Sequence, residues 1–441
     1  MPTLSTLFWT FTLLASMILA LWRPLVGLCM IYPMLLLCPM KLPGIPLVNT
    51  PFGVLVVFTA FAALLRRKAV GRWLYSSSIF APLSMLVVVL LIFGLIGYGD
   101  PEAIAFRVRT YLMGMWPLVL AWLILKTPED AKAVLLVALV ANLILAVEVL
   151  WIITTQGQDM LANIASGYNV RHLVDDQKIS LSYLTMMALA LCAPIWLSLL
   201  LDGGLGPKLK LLVGGALGAT AVCVLLSTYS SAVMSLIVGI CLVFVARWRR
   251  VQGRRLQIIG GFVLAGLLLV GGSILADNLP SVQNTLNRIR NPQEDSSGAY
   301  RIMGIWEESK AFLESPLIGH GVAGEEKLTK EGHLLVGHNS ITRDAASFGL
   351  LFVVPFLAVL AGIGHQYLRL QKKVLVPVDA AVLSGMFVSF LVSIAGGMIT
   401  CTFGDLTQDT YFWTFTSVIL FWNRWADSHP GIPFFAWRST T

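Results

Sequence analysis

The chain is dominated by long apolar runs. Thirteen of them, near 4–21, 24–40, 51–65, 79–97, 110–126, 133–153, 179–201, 211–226, 231–246, 256–275, 346–368, 380–400 and 411–422, fill most of its 441 residues. A helix needs about 20 residues to cross the hydrocarbon core, and lipid offers no partner to an unpaired backbone group. Runs of this length therefore point to a bundle of membrane helices. The run at 211–226 is apolar all round, which suits a packed helix and not the alternation of a barrel strand. Charged residues make up 12% of the chain, against about 25% in a soluble domain. The predicted fold class is all-α and polytopic, with about 12 transmembrane helices.

Basic residues gather between the runs. One cluster is Arg66, Arg67, Lys68 and Arg72; a second is Arg247, Arg249, Arg250, Arg254 and Arg255; a third is Arg369, Lys372 and Lys373. The positive-inside rule assigns all three to the cytoplasm and agrees on one orientation. It places 99–109, 154–178, 276–345 and 401–410 outside and the C-terminus inside. Thirteen crossings would put the N-terminus outside. Pro24, Pro33 and Pro39 interrupt the first two segments, so one crossing plus a re-entrant piece is the alternative. No basic residue precedes Arg23, so Met1–Leu21 is expected to remain as a membrane segment rather than act as a secretory signal.

The net charge of +8 thus reads as a topology signal, with membrane lipid as the surroundings and no nucleic-acid partner. The six cysteines form no CxxC pair, and five lie inside apolar runs. They read as small hydrophobes rather than metal ligands or a disulfide framework.

Three regions follow: N-terminal membrane helices over 1–275, a large outer loop over 276–345, and C-terminal membrane helices with a cytoplasmic tail over 346–441. A loop this long is functional or disordered, and the aliphatics together with Tyr300, Trp306 and Phe312 argue against disorder. In RIMGIWEESKAFLES, Ile302, Ile305, Trp306, Phe312 and Leu313 recur at helical spacing, with Arg301, Glu307, Glu308 and Lys310 between them. The spacing predicts an amphipathic helix on the membrane surface, ended by Pro316.

Glu148 is the main charge inside a membrane segment, and a candidate for function on that ground. The outer loops offer Arg107, Arg109, Arg171, His172, Arg288, Arg290, Arg301, His333, His338 and Arg343. The large loop holds seven Lys or Arg and ten Asp or Glu, so anion binding there falls to specific arginines and not to a general field. A guanidinium fork matches phosphate oxygens, and a diphosphate at the membrane surface is a natural ligand. Arg288 and Arg290, in LNRIRNP, have no acid nearby until Glu294.

His338 stands immediately before an apolar helix, with Asn339 beside it and Arg343 four to five residues on, on a shared helical face. A neutral imidazole there can accept a proton at neutral pH; a structural histidine is the alternative. No Walker loop, GxSxG, HExxH or DxD pattern is present, which disfavours a nucleotide-sugar donor and leaves a membrane-borne one.

The stretch RIMGIWEESKAFLESPLIGHGVAGEE, followed by GHNSITRDAASFGLLFVVPFL, resembles the shared region of the O-antigen ligase and polymerase superfamily. That region has an Arg opening an amphipathic helix, a Pro-x-x-Gly-x-Gly turn, a His-Asn pair and a glycine before the next membrane helix. The matching positions are Arg301, Pro316, Gly319, Gly321, His338, Asn339 and Gly349, within a resemblance covering about residues 180–420. The family often carries a Ser-Arg pair where this chain has Ser230-Ser231, so the role of that Arg does not carry over.

The resemblance implies a GT-C-like membrane glycosyltransferase of the bacterial inner membrane, with its large loop in the periplasm. It implies a donor glycan on undecaprenyl diphosphate and a sugar hydroxyl of lipid A–core as acceptor. His338 would be the catalytic base, and Arg288 would stabilise the departing diphosphate. Arg290, Arg301, Asn339 and Arg343 would bind substrate. Neither metal nor cofactor is expected, and the reaction would invert the anomeric centre. One dominant outer loop favours a ligase, with a polymerase of the same superfamily as runner-up. The short chain after the last segment argues against protein-glycosylating members. A transporter of lipid-linked glycan is the rival of a different class; it should carry several intramembrane charges and broken helices near the midplane.

Overall fold

The computed structural model describes residues 4–38, 51–66, 73–75, 77–97, 99–155, 183–201, 205–226, 230–248, 296–322, 339–374, 376–399 and 406–435. Among these residues the fold is helical. In chain order the helices are α1 (Leu4–Trp22), α2 (Pro24–Leu37), α3 (Pro51–Leu65), α4 (Phe80–Ile96), α5 (Pro101–Gly114), α6 (Trp116–Ile124), α7 (Pro128–Thr155), α8 (Tyr183–Leu201), α9 (Pro207–Leu226), α10 (Ser230–Trp248), α11 (Ser296–Glu314), α12 (Ser340–Gln371), α13 (Pro377–Ile399) and α14 (Leu406–Ser428). One parallel bridge, Gly99 to Val322, is the β-type pairing among them.

Four of the described helices are long and apolar enough to cross a bilayer: Pro128–Trp151, Pro207–Leu225, Ser340–Gln371 and Pro377–Met398. Shorter apolar helices such as Pro24–Leu37 and Phe80–Ile96 accompany them. Large apolar side chains also point outward: Phe11 is 74% exposed, Trp22 75%, Leu95 86% and Leu211 80%. Water would penalise such a surface and lipid would not. The expected segment at 256–275 lies outside the described residues.

Helix α14 is the axle of the bundle and packs against α5, α6, α7, α8, α12 and α13. Every residue from Thr407 to Asn423 is buried, although many are polar. Buried polar groups need partners, and several are evident. Tyr32 and Thr414 share a hydroxyl–hydroxyl bond of 2.7 Å. Trp116 Nε1 donates to Thr410 Oγ1 at 3.0 Å, and the Tyr411 hydroxyl donates to the Ala138 carbonyl at 3.1 Å. Helix α8 collects α9, α10 and α13. It meets α13 where a Cβ on Gly385 would stand 2.6 Å from Ile195 Cα, and Ser389 Oγ donates to the Leu191 carbonyl there at 2.6 Å. Small residues of this kind let membrane helices approach closely.

One boundary differs from the sequence reading. The run at 110–126 is not a single helix preceded by a loop over 99–109. Asp100 caps a helix that begins at Pro101, its Oδ1 accepting from Glu102 N at 2.9 Å and Ala103 N at 3.3 Å. Proline at the first helical position suits such a start. The helix then stops at Gly114, because Pro117 has no N–H to continue the ladder. Arg107 and Arg109 therefore ride on a helix rather than a loop.

Candidate functional site

Helix α12 is two helical pieces. Gly349 sits between them at φ 64°, ψ −160°, outside helical space. The Pro316–Val322 turn is wedged into this break and satisfies the interrupted ladder. His320 N donates to the Ala346 carbonyl at 2.8 Å and Gly321 N to the Ser347 carbonyl at 2.9 Å. In return, Leu350 N donates to the Pro316 carbonyl at 2.8 Å and Leu351 N to the Leu317 carbonyl at 3.2 Å. The far end of the turn reaches α5, where Asp100 N donates to the Val322 carbonyl at 2.8 Å.

The glycines follow from this wedge. A Cβ on Gly349 would lie 2.5 Å from the Leu317 backbone, and one on Gly319 2.4 Å from the Ser347 backbone. Both residues also hold positive φ, which side chains rarely tolerate. The Pro-x-x-Gly-x-Gly motif is thus a main-chain splint between α5 and α12.

Beyond the kink, the first piece of α12 runs from Ser340 to Phe348. Asn339 caps it, Oδ1 accepting from Ile341 N at 2.9 Å and Thr342 N at 3.2 Å. The same side chain donates Nδ2 to the Met398 carbonyl on α13 at 2.9 Å. Residue 339 is therefore fixed to two helices.

One turn on, Asp344 is sealed, its side chain 2% exposed. Its Oδ1 accepts from Arg107 Nη1 at 3.2 Å and Arg343 Nε at 3.4 Å. The Tyr111 hydroxyl donates to its Oδ2. A buried carboxylate is costly unless charge and hydrogen bonds compensate it, and here α5 and α12 supply both. The two arginine side chains are more open, at 19% and 16%.

Helix α11 packs across this cluster on α12. Its inner face carries Glu308, which is buried and accepts a hydrogen bond from the Thr342 hydroxyl. Burial pushes the Glu308 carboxyl up to about 7; the Thr342 bond and the charges of Arg343 and Arg107 pull it down, while Asp344 adds to the rise. The outer face mixes apolar and charged side chains: Met303 is 56% exposed, Trp306 64% and Leu313 74%, beside Glu307, Lys310 and Glu314. Lys310 Nζ lies 5.5 Å from the Trp306 ring centre. A helix with Glu308 inward and both apolar and charged side chains outward suits the boundary between lipid and water.

Of the residues singled out from the sequence, Asn339 and Arg343 stand together in the first turn of α12, with Arg343 N donating to the Asn339 carbonyl at 3.1 Å. Arg301 lies on α11, and its side chain is outside the described residues. His338, Arg288 and Arg290 are also outside them, as are Arg171, His172 and His333. Glu148 is a partly buried residue of α7. Arg109 projects over the Phe106 ring at 5.3 Å on exposed α5 surface. Sequence reasoning missed Asp344 and Tyr111 as site residues. The available signal for Asp344 was an Arg-Asp pair three residues past the His-Asn pair. Among the described residues no group of three or more His, Cys, Asp or Glu is assembled to hold a metal.

These features define a class: a polytopic helical membrane protein with a sealed, charged site at the kinked start of a spanning helix. Residues 215–351 match the family model described as O-Antigen ligase, a match that supports membership of the O-antigen ligase superfamily. At the superfamily level that match implies a glycosyltransferase-like membrane enzyme and supports a ligase- or polymerase-type function in lipopolysaccharide biosynthesis. The family implies a lipid-linked glycan and a lipid A–core acceptor in general terms. No curated protein matches the chain.

Proposed function

We propose that the protein is a ligase that transfers finished O-antigen polysaccharide from undecaprenyl diphosphate to a sugar hydroxyl of lipid A–core, at the periplasmic face of the inner membrane. One observation carries the reading. The matched region extends past the start of α12, where a sealed carboxylate gathers two guanidinium groups five residues after Asn339 of the His338-Asn339 pair.

In this reading the acceptor hydroxyl attacks the anomeric carbon of the donor. The new bond joins acceptor oxygen to that carbon, and the bond from carbon to diphosphate oxygen breaks. His338 takes the hydroxyl proton. Arg288, with Arg290 and Arg301, disperses charge on the departing undecaprenyl diphosphate, a role that preorganised donors fill without a divalent ion. Asn339 and Arg343 hold substrate against the helix start. Attack opposite the leaving group inverts the anomeric centre.

The test is transfer between defined lipid substrates by the purified protein. The wild type is expected to make the ligated product in excess EDTA. His338→Ala should lower transfer by about 10²–10⁴-fold, the range for a lost general base, with the melting temperature unchanged. Arg288→Lys should also impair it, because a point charge lacks the fork. Full activity in either variant removes that residue's role. In cells, loss of the protein should leave polymer on the lipid carrier; single repeats on lipid A–core would instead identify a polymerase.

A further inference from the structure

We propose that the Pro316–Val322 turn is a removable wedge, and that its withdrawal closes the break in α12 and opens the Asp344 cluster. The inference does not depend on the transferase reading. It concerns how a sealed site becomes accessible.

The pairing of main-chain groups at the break carries it. The carbonyls of Ala346 and Ser347 accept from His320 N and Gly321 N, while Leu350 N and Leu351 N donate to the carbonyls of Pro316 and Leu317. In an uninterrupted α-helix each N–H donates to the carbonyl four residues back. Leu350 N would then donate to Ala346, and Leu351 N to Ser347. The two donors and two acceptors that the turn engages on α12 are therefore each other's helical partners. When the turn leaves, α12 can pair all four of these groups within itself, and none of them is stranded. Glycine at 349 admits both the observed φ of 64° and a helical one.

The turn is also built to move as a unit. Its own bonds hold it to the end of α11: Gly319 N donates to the Ser315 carbonyl at 2.9 Å, Ser315 Oγ to the Gly319 carbonyl at 2.7 Å, and His320 Nε2 bonds the Ala311 carbonyl at 2.8 Å. Little apolar burial keeps it in the break, since Pro316, Leu317, Ile318 and His320 are exposed. Its far end is fixed, because Val322 is buried and bridged to Gly99 beside the α5 cap. The motion is therefore a swing about Val322. The cluster follows it. Glu308 of α11 is bonded to the Thr342 hydroxyl, so the swing pulls on the first turn of α12. Realignment of 340–348 with the rest of the helix parts Asp344 from Arg107 and Tyr111 on α5. The bent form makes all these bonds and is the major state; the realigned form is a minor one reached by local opening.

Hydrogen exchange of the full-length protein in nanodiscs, read amide by amide after electron-transfer fragmentation, tests the wedge. Leu350 N and Leu351 N have an acceptor in both forms, whereas His320 N and Gly321 N have theirs only in the bent form. After correction for intrinsic rates, the His320 and Gly321 amides should exchange about tenfold faster or more than those of Leu350 and Leu351. Gly349→Ala favours helical φ at the break and should speed His320 and Gly321 by about another tenfold, with Leu350 and Leu351 as slow as in wild type. Asp344→Asn weakens the cluster that only the bent form makes, and should shift the same two amides in the same direction.

A rigid splint behaves differently, because it releases all four amides together. Exchange of the four within about twofold of one another, in wild type or in Gly349→Ala, overturns the wedge and leaves the ligase reading standing. If neither variant folds, the wild-type ratio decides alone. Unequal exchange in a protein that transfers no glycan sustains the wedge and overturns the ligase reading.

Discussion

Helix α12 has a cluster of two cations around one carboxylate at each of its ends, built from nearly the same parts. At its start Asp344 holds Arg107 and Arg343. At its end Asp427 holds Arg369 at 3.0 Å and Lys373 at 2.5 Å. Burial separates them. Asp344 is 2% exposed, whereas Asp427 is 30% exposed with partners at 47% and 25%. Water screens the second cluster and leaves it a modest tie between α12 and α14. The first lies where charge interactions are strong and an unpaired ion is costly. Similar composition therefore makes a fastening at one end and a charged floor at the other.

Substitutions sort by that contrast. Asp344→Ala should have the largest effect, about 3–5 kcal/mol in unfolding free energy, the range for breaking a buried pair and stranding its partner. Equilibrium unfolding in detergent measures it, and a loss under 1 kcal/mol would make the two ends equivalent. Gly349→Ala comes next. The positive φ and the Leu317 backbone at 2.5 Å should cost about 1–3 kcal/mol, read in the same assay. A neutral result would mean that the kink is not fixed by the wedge.

Glu308→Gln acts through pH. The carboxyl is raised from 4.5 to about 7, so between those values the folded protein binds more protons than the unfolded chain. Stability should fall as pH rises from about 4.5 through about 7 and then level off. The glutamine variant should flatten that slope and melt a few degrees higher than wild type at pH 8. An unchanged slope would show that Glu308 is not the titrating group. Asp427→Asn should have the smallest effect, about 1 kcal/mol or less, and shrink further in high salt. A larger, salt-insensitive loss would erase the distinction between the ends.

The helices were legible because apolar runs of membrane length admit few other structures. The interruptions were harder to read. Trp116-Pro117 splits an apolar run whose hydropathy is continuous, and the α5 start depends on an Asp100 cap that a hydropathy reading passes over. The sequence places Gly349 in the family motif, ahead of a membrane helix, and carries no sign of the kink there. Its conformation depends on a turn some thirty residues earlier, and such a contact leaves no local periodicity. The cluster was least legible. Arg107 and Asp344 are 237 positions apart, and only folding brings them together. Glu308 was read as one of the polar residues between the apolar positions of its helix. The structure turns it inward, onto the Thr342 hydroxyl of α12.

The splint at Gly349 depends on amide and carbonyl groups, while Leu317 and Ile318 within it are 66% and 44% exposed. Those side chains are free to drift over generations without moving the helix start that they flank. What inheritance must keep at this place is vacancy, the lack of a methyl group at positions 319 and 349. Descendants of such a protein would keep their geometry through two missing atoms long after the surrounding letters had changed.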